Sequence, residues 1–381
     1  MKKVMFMINS LNGGGAEKVL QTLLSHLDYE KYDVTLYSMH RENIAELNYP
    51  SQIHYKVVFD RYTGKNALHR RVRDFAGKVK GKLFNTVPSK LFYALYFHEK
   101  YDVEIAFIEG ESTKIISGST NRHSKKYAWV HIDLRQNPWT DFLYKSAEDE
   151  SNHYAAFDRV FCVSESVKSA FLSKYDICPE KTAVQYNPID RAEILRKAQL
   201  PCEIAEKTAL RMIAVGRLVR QKGFDRLIEI AAMLLDDGFQ FELLILGEGE
   251  ERQALEALIQ ARNLDHEVCL LGFRANPYPI MATGDLLVCS SRSEGFSTVV
   301  TEGVILGLPV VSTDCAGVRE LFGSAQCGVI TENSSQALYA ALKEVLSATQ
   351  KREHFRQEAE KRGAYFSLAN AMRSIERILD D

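Results

Sequence analysis

The segment Ser290-Ser291-Arg292-Ser293-Glu294-Gly295-Phe296-Ser297-Thr298, running on to Glu302, holds the densest chemistry in the chain. It follows an apolar run, Leu286–Cys289, and precedes a helical pattern, Val299–Leu306. Gly295 permits a tight backbone path. Ser297 or Thr298 is placed to cap the helix. Free backbone N–H groups at such a helix start bind an anionic or oxygen-rich ligand. Glu294 falls in the loop and Glu302 about a turn into the helix, so both carboxylates can face one pocket. Each can accept two hydrogen bonds, which suits the vicinal diol of a ribose or a hexose. A solvated loop and helix would show the same pair of glutamates.

A second cluster is Gly216-Arg217-Leu218-Val219-Arg220-Gln221-Lys222-Gly223. Arg217 and Lys222 bracket a short loop between a strand and a helix. Arginine offers a bidentate fork and lysine a point charge, which together match a diphosphate. The helix start adds its partial positive charge. Solvated surface cations remain the other reading of the same residues. A third cluster, Asn12-Gly13-Gly14-Gly15-Ala16-Glu17, directly follows the first strand. Its glycines let backbone approach a ligand closely, although an ordinary strand-to-helix turn would look alike. It is neither Gly-x-Gly-x-x-Gly nor a P-loop.

Gly247-Glu248-Gly249 has Arg252 where a dinucleotide fingerprint needs its third glycine. A nicotinamide site is therefore rejected, and a loop beside a bound base fits better. His131 ends the apolar run Tyr127–Val130, with Asp133 near enough in sequence to tune it. A lone histidine is more often structural. No Asp-x-Asp occurs, which weakens any reading that needs a carboxylate-held divalent metal; the cations named above can replace it.

The elements that must position these residues alternate along the chain. Val4–Ile8, Val34–Tyr37, Val103–Ile108, Tyr127–Val130, Val160–Val163 and Ala183–Gln185 read as strands. Helical patterns such as Ala16–Leu27 and Ser166–Lys174 lie between them. The pattern restarts with strand Met212–Val215, helix Gly223–Leu235, strand Phe241–Leu246 and helix Glu251–Ala261. Val268–Leu271, Leu286–Cys289, Pro309–Ser312 and Val329–Ile330 continue the strands, and 334–381 reads as helices only. Such alternation predicts an α/β chain of two doubly wound parallel-sheet domains. Asn187-Pro188-Ile189-Asp190 marks the seam, and the polar stretch after it, to about Leu210, reads as a joining segment. Open α/β domains bind ligands at the carboxyl ends of their strands, so two facing domains would leave a cleft for a large polar ligand.

Taken together, these segments resemble the family-4 group of retaining GT-B glycosyltransferases. The resemblance is carried by AVGRLVRQKGFDRLIEI, LLILGEGEER, LLGF and SRSEGFSTVVTEGVILGLPVVSTDCAG in the second half. NSLNGGGAEKVL, FCVSES and NPID carry it in the first half and at the seam. It implies a GT-B fold of two Rossmann-like domains facing across a cleft. Residues 1–187 would bind the acceptor, 188–365 the nucleotide sugar, and 366–381 would form a helix crossing back. By resemblance, Glu302 would hold the donor's ribose hydroxyls and Glu294 would lie beside the donor sugar. Backbone at Gly295, Phe296 and Ser297 would contact sugar hydroxyls or phosphate. Arg217 and Lys222 would neutralise the leaving diphosphate, and Gly14 and Gly15 would let the first domain close over the phosphates. Phe273 and Arg274 would lie by the base, and His131 near acceptor and sugar. Retaining members imply front-face attack, with the leaving phosphate taking the proton. Neither a metal nor a cofactor is expected, and UDP is the favoured nucleotide.

Composition bounds the rest. The chain has 381 residues, enough for about two domains, and a net charge of −2 that gives no sign of a nucleic-acid partner. Seven scattered cysteines without a Cys-x-x-Cys pair fit a reducing, cytoplasmic compartment. Lys2, Lys3 and the short apolar run after them read as a buried strand rather than a signal peptide. From Arg61 to Lys100 there are ten Lys/Arg against two Asp/Glu. Leu68, Val72, Phe75, Val79 and Leu83 recur there at helical steps, and Lys90–Phe97 is dense in aromatics. A basic, amphipathic, aromatic stretch predicts contact with the inner face of a membrane; the other reading is a helix pair packed on its own domain. The acceptor would then be a glycan or lipid-linked saccharide, in surface polysaccharide or glycan assembly. Two other functions share the architecture. One is a sugar-nucleotide 2-epimerase, which lacks Ser-Glu-Gly-Phe in this setting. The other is a degenerate GT-B subunit that stabilises a partner transferase; such subunits tend to lose the donor residues present here.

Overall fold

The computed structural model describes residues 1–11, 14–44, 47–59, 79–202, 204 and 206–381. The chain forms two units, Met1–Pro188 with Ala369–Asp381, and Ile189–Leu368. Each is built on one all-parallel sheet.

In the first unit the strands are β1 (Lys2–Ile8), β2 (Tyr32–His40), β3 (His54–Phe59), β4 (Val103–Ala106), β5 (Lys125–Val130), β6 (Arg159–Cys162) and β7 (Thr182–Val184). Their order is β3-β2-β1-β4-β5-β6-β7. Val4 to Ile8 are wholly buried, as expected of a central strand covered on both faces. The order reverses between β1 and β4, which pair in register from Val4↔Val103 to Met7↔Ala106. Chains leaving those two strands diverge and open a crevice beyond their carboxyl ends.

The second unit repeats the plan. Its strands are β8 (Leu210–Val215), β9 (Phe241–Leu246), β10 (Val268–Gly272), β11 (Leu286–Cys289), β12 (Val310–Thr313) and β13 (Gly328–Thr331). Their order is β10-β9-β8-β11-β12-β13, so the reversal lies between β8 and β11. Helices Phe224–Asp236 and Ser335–Ser347 cover this sheet through Leu227, Ile230, Ala231, Leu338 and Leu342. Serine caps start several helices; Ser334 Oγ, for example, accepts the Ala337 N–H. Gly247, at φ 147°, could not carry a side chain: a Cβ there would lie 1.8 Å from the Gly216 carbonyl oxygen. The loops leaving β8 and β9 therefore touch backbone to backbone.

Among the elements that the structure adds to the sequence reading are β3 and a helix after the seam. β3 is an edge strand with only Val58 buried, so it lacks the apolar run that marks its neighbours. The segment after the seam, expected as a joining stretch, contains helix Arg191–Ala198. It is capped by Asp190, whose carboxylate accepts the Glu193 N–H at 2.9 Å, and buries only Ile194. One buried residue gives no periodicity to read. The last helix, Leu368–Asp380, packs Met372, Ile375 and Leu379 into the first unit, where Asp380 accepts the Tyr32 hydroxyl at 2.8 Å.

The expected amphipathic helix through Leu68, Val72 and Phe75 lies outside the described residues. Downstream of it, the aromatics turn inward. Phe84 and Phe92 pack edge to face at 5.4 Å, and Phe59 packs on Phe84. Leu91 and Leu95, four apart on helix Ser89–Tyr96, point outward and are about half exposed. Among the described residues, no helix is long and apolar enough to cross a membrane.

Candidate active site

In the second unit, the loops leaving β8 and β11 carry the charged residues singled out by sequence, and the strand order brings them side by side. Lys222 Nζ lies 2.6 Å from Glu294 Oε1. The same carboxylate oxygen accepts the Ser291 hydroxyl at 2.6 Å. Arg292 N donates to Gln221 O at 2.7 Å and Gln221 Nε2 to Ser293 O at 2.8 Å, lacing the two loops together. Burial by itself pushes the Lys222 pKa down. The charge and hydrogen bond of Glu294 more than offset it, so the ammonium stays protonated, above the ordinary lysine range. Arg217 stands exposed near it and has no ion pair among the described residues.

Ser297, not Thr298, caps helix Thr298–Ile305: its Oγ accepts the Val300 N–H. Gly295, Phe296 and Ser297 form the approach to that helix start, and Gly317 packs on it so closely that a Cβ would lie 2.4 Å from Gly295 O. Glu302, buried in the helix, accepts the hydroxyl of Tyr278 at 3.3 Å. Phe273 and Arg274 follow β10 and are exposed.

In the first unit, Gly14 precedes helix Gly15–Ser25 in an extended conformation. The Glu17 carboxylate folds back over it, 2.1 Å from where a Cβ would be. Asn12 and Gly13 lie outside the described residues. His131 leaves β5, and its ring Nε2 is 2.9 Å from the Phe107 carbonyl oxygen. A carbonyl only accepts, so the ring proton sits on Nε2 and the lone pair on Nδ1. Burial drives the His131 pKa down to about 4, partly opposed by that bond, so the ring is neutral at physiological pH. Asp133, expected to tune it, instead accepts the Arg135 and Gln136 backbone N–H groups and pairs with the Arg135 guanidinium. An aspartate three residues past a strand end closes its own turn more readily than it reaches back.

The carboxylate that does bind His131 is Glu109, which the sequence reading missed. Buried beyond β4, its Oε1 accepts the backbone N–H of His131 and, at 3.1 Å, that of Ile132. Burial raises its pKa to about 7; the N–H groups of Glu109, His131 and Ile132 pull the other way, and Glu150 adds a small upward push. Tyr278 was also missed, and Ser291, inside the singled-out segment, was given no role of its own. Nothing in the residues around Glu109 and Tyr278 marks them; only the fold brings these two to His131 and Glu302.

The sign of the Glu109 effect on stability follows from linkage. Its folded pKa of about 7 exceeds the ordinary 4.5. The contribution is fully present below pH 4.5 and is lost as pH rises through 7, by about 3 kcal/mol at about 1.4 kcal/mol per unit. His131 works the other way. Its depressed pKa costs stability as pH falls from 6.5 toward 4. Glu109→Gln removes only the first effect. Its stability relative to wild type is expected to increase between about pH 5 and about pH 8, read by urea unfolding. An equal offset at both values would mean that Glu109 titrates normally.

Comparison with known proteins bears on what these loops serve. Residues 13–193 match the family model Glycosyltransferase Family 4, and 201–362 match Glycosyl transferases group 1. The chain belongs to the glycosyltransferases. This glycosyltransferase is 29% identical, over the full length of both chains, to the N-acetylgalactosamine-N,N'-diacetylbacillosaminyl-diphospho-undecaprenol 4-alpha-N-acetylgalactosaminyltransferase of Campylobacter jejuni. It is 24% identical to the amylovoran biosynthesis glycosyltransferase AmsD of Erwinia amylovora, over 94% of each chain. Among solved structures, Anabaena HepE in complex with UDP and glucose superposes with a TM-score of 0.76 at 21% identity, over all of both chains. S. aureus TarM superposes at 0.75 and 13% identity, again over all of both chains. These neighbours show that the glycosyltransferase has the GT-B type of fold; the two relatives are named for work on a lipid-linked glycan and for polysaccharide biosynthesis.

Proposed function

We propose that this glycosyltransferase moves a hexose or N-acetylhexosamine from a UDP-sugar to a hydroxyl of a lipid-linked saccharide, with retention at the anomeric carbon. The observation that carries the reading is the Lys222–Glu294 pair at the strand reversal of the second unit, with exposed Arg217 beside it. The two cations are the counter-charges for the departing diphosphate, a role that preorganised donors fill at large rate gain. Glu302 takes the ribose hydroxyls. The acceptor oxygen attacks the anomeric carbon on the face the diphosphate leaves. The carbon–phosphate-oxygen bond breaks as the glycosidic bond forms, and the acceptor's proton passes to the leaving diphosphate. Neutral His131 accepts a hydrogen bond from a sugar hydroxyl at Nδ1. No step is routed through a metal.

The names of the relatives support the choice of substrates. The Campylobacter enzyme is named for a diphospho-undecaprenol acceptor and an alpha linkage, and HepE was crystallised with UDP and glucose. A lipid-linked acceptor requires the enzyme to work at the cytoplasmic membrane surface as a peripheral protein. Exposed Leu91 and Leu95, with Lys82 and Lys90 also exposed, supply an apolar and cationic contact of the needed kind.

Hydrolysis and binding across a panel of nucleotide sugars test the donor. One preferred UDP-sugar is expected; turnover at carbon 2 of the sugar without transfer would favour an epimerase. Absence of any donor binding would favour a subunit that only supports a partner transferase. Flotation with anionic vesicles tests the location. Leu91→Glu with Leu95→Glu is expected to release the protein, and a wild type that never floats would remove the membrane contact.

A further inference from the structure

The reversal between β1 and β4 makes the crevice beyond their ends the ligand-binding place of the first unit. Three segments meet there. Asn9 follows β1, Glu109 follows β4 and His131 follows β5. Asn9 Nδ2 donates to the Glu109 carbonyl at 3.3 Å, and Asn9 Oδ1 accepts the Ser112 hydroxyl at 3.0 Å. Glu109, thus fixed, takes the His131 and Ile132 N–H groups on its Oε1. Phe107, two residues earlier, holds the His131 ring through its carbonyl. The single stretch 107–109 therefore grips both the backbone and the ring of His131.

A buried carboxylate in this setting is costly, since burial opposes its charge. A core would be served as well by an apolar side chain and a strand that continued its ladder. Just past β5, the His131 and Ile132 N–H groups turn to the carboxylate instead. The backbone of His131 is then set by a side chain rather than by the sheet.

We propose that Glu109 is a positioning residue, which fixes through those two N–H groups where the neutral imidazole of His131 presents Nδ1 to a hydroxyl of the reacting sugars. The proposal rests on the reading of His131 given under Proposed function. Glu109 itself touches no substrate. Its reach is set by its side-chain length: aspartate is one methylene short, whereas glutamine keeps an oxygen able to accept both N–H groups.

The experiment uses the full chain with the donor and acceptor that the panel identifies. Transfer rates and nucleotide affinity are measured for His131→Ala, Glu109→Ala, Glu109→Asp, Glu109→Gln and the double variant Glu109→Ala/His131→Ala. His131→Ala is expected to lower kcat by about a hundredfold, and Glu109→Ala and Glu109→Asp by about tenfold or more, since small misplacements of a working group cost this much. Nucleotide Kd, set by the second unit, should stay within about twofold in all of them, and Glu109→Gln should recover most of the rate. The double variant should be no slower than His131→Ala, because Glu109 acts only through that ring. If Glu109→Ala does not fold, Glu109→Asp carries the comparison. A full rate in Glu109→Asp, or losses that multiply in the double variant, would overturn the proposal alone. A full rate in His131→Ala would overturn the reading beneath it.

Discussion

Lys222→Ala is expected to lower kcat of transfer by about 10²–10³-fold, the usual loss when a preorganised charge at a developing anion is removed. The same change should destabilise the second unit by about 3 kcal/mol, because a buried carboxylate loses its counter-ion. Glu294 has one oxygen shared between Lys222 and Ser291, both at 2.6 Å, and its side chain is only 10% exposed. Ser291 alone would then face a full charge. The two effects separate in a second variant. Lys222→Met with Glu294→Gln removes both charges, and Ser291 keeps an oxygen to bond. Urea unfolding should recover most of the lost stability there, while the rate stays low. Recovery of the rate as well would show that the ammonium serves the fold and not the diphosphate. Lys222→Arg should not rescue, since a planar fork cannot take the place of a point charge held by one carboxylate oxygen.

Glu302→Ala should weaken binding of UDP and of the UDP-sugar by about 10–100-fold, which is the range for losing a hydrogen-bonded charged partner. The carboxylate is buried in the first turns of helix Thr298–Ile305 and accepts Tyr278 Oη at 3.3 Å. Tyr278 thus orients it, and Tyr278→Phe should weaken binding in the same direction but less, about threefold to tenfold. Calorimetric titration with UDP, UMP and uridine locates the effect. If Glu302 holds the ribose, its removal weakens all three by a similar factor. A loss confined to the diphosphate would place it near the phosphates instead, and unchanged affinity for all three would remove it from the donor site.

Much of the architecture was legible because parallel sheets leave a strong mark. Strands buried on both faces are short apolar runs, and the helices that cover them have a period near 3.6. β1, β9 and β11 are such strands, and all were expected. β3 escaped notice because an edge strand with one buried residue carries no such run. The helix Arg191–Ala198 escaped for the same reason, its single buried Ile194. The aromatic stretch Lys90–Phe97 leaves two readings open in the sequence, a membrane contact or a helix packed on its own domain; in the structure Phe92, Tyr93 and Phe97 are buried while Leu91 and Leu95 are exposed. Composition alone does not separate a greasy surface from a core.

The sequence by itself determined that two doubly wound α/β units exist, and that loops rich in Gly, Arg, Lys and Glu follow their strands. Those features are local: a loop's residues and the strand before it are neighbours in the chain. What only the tertiary structure decided is which of them meet. Lys222 and Glu294 are 72 positions apart and become an ion pair because β8 and β11 lie side by side. Glu109 and His131 are 22 apart and meet because β4 neighbours β5. Asp133, two residues from His131, does not bind it. Strand order, which hydrogen bonding and the twist of the sheet select, sets such pairings, and proximity in sequence does not.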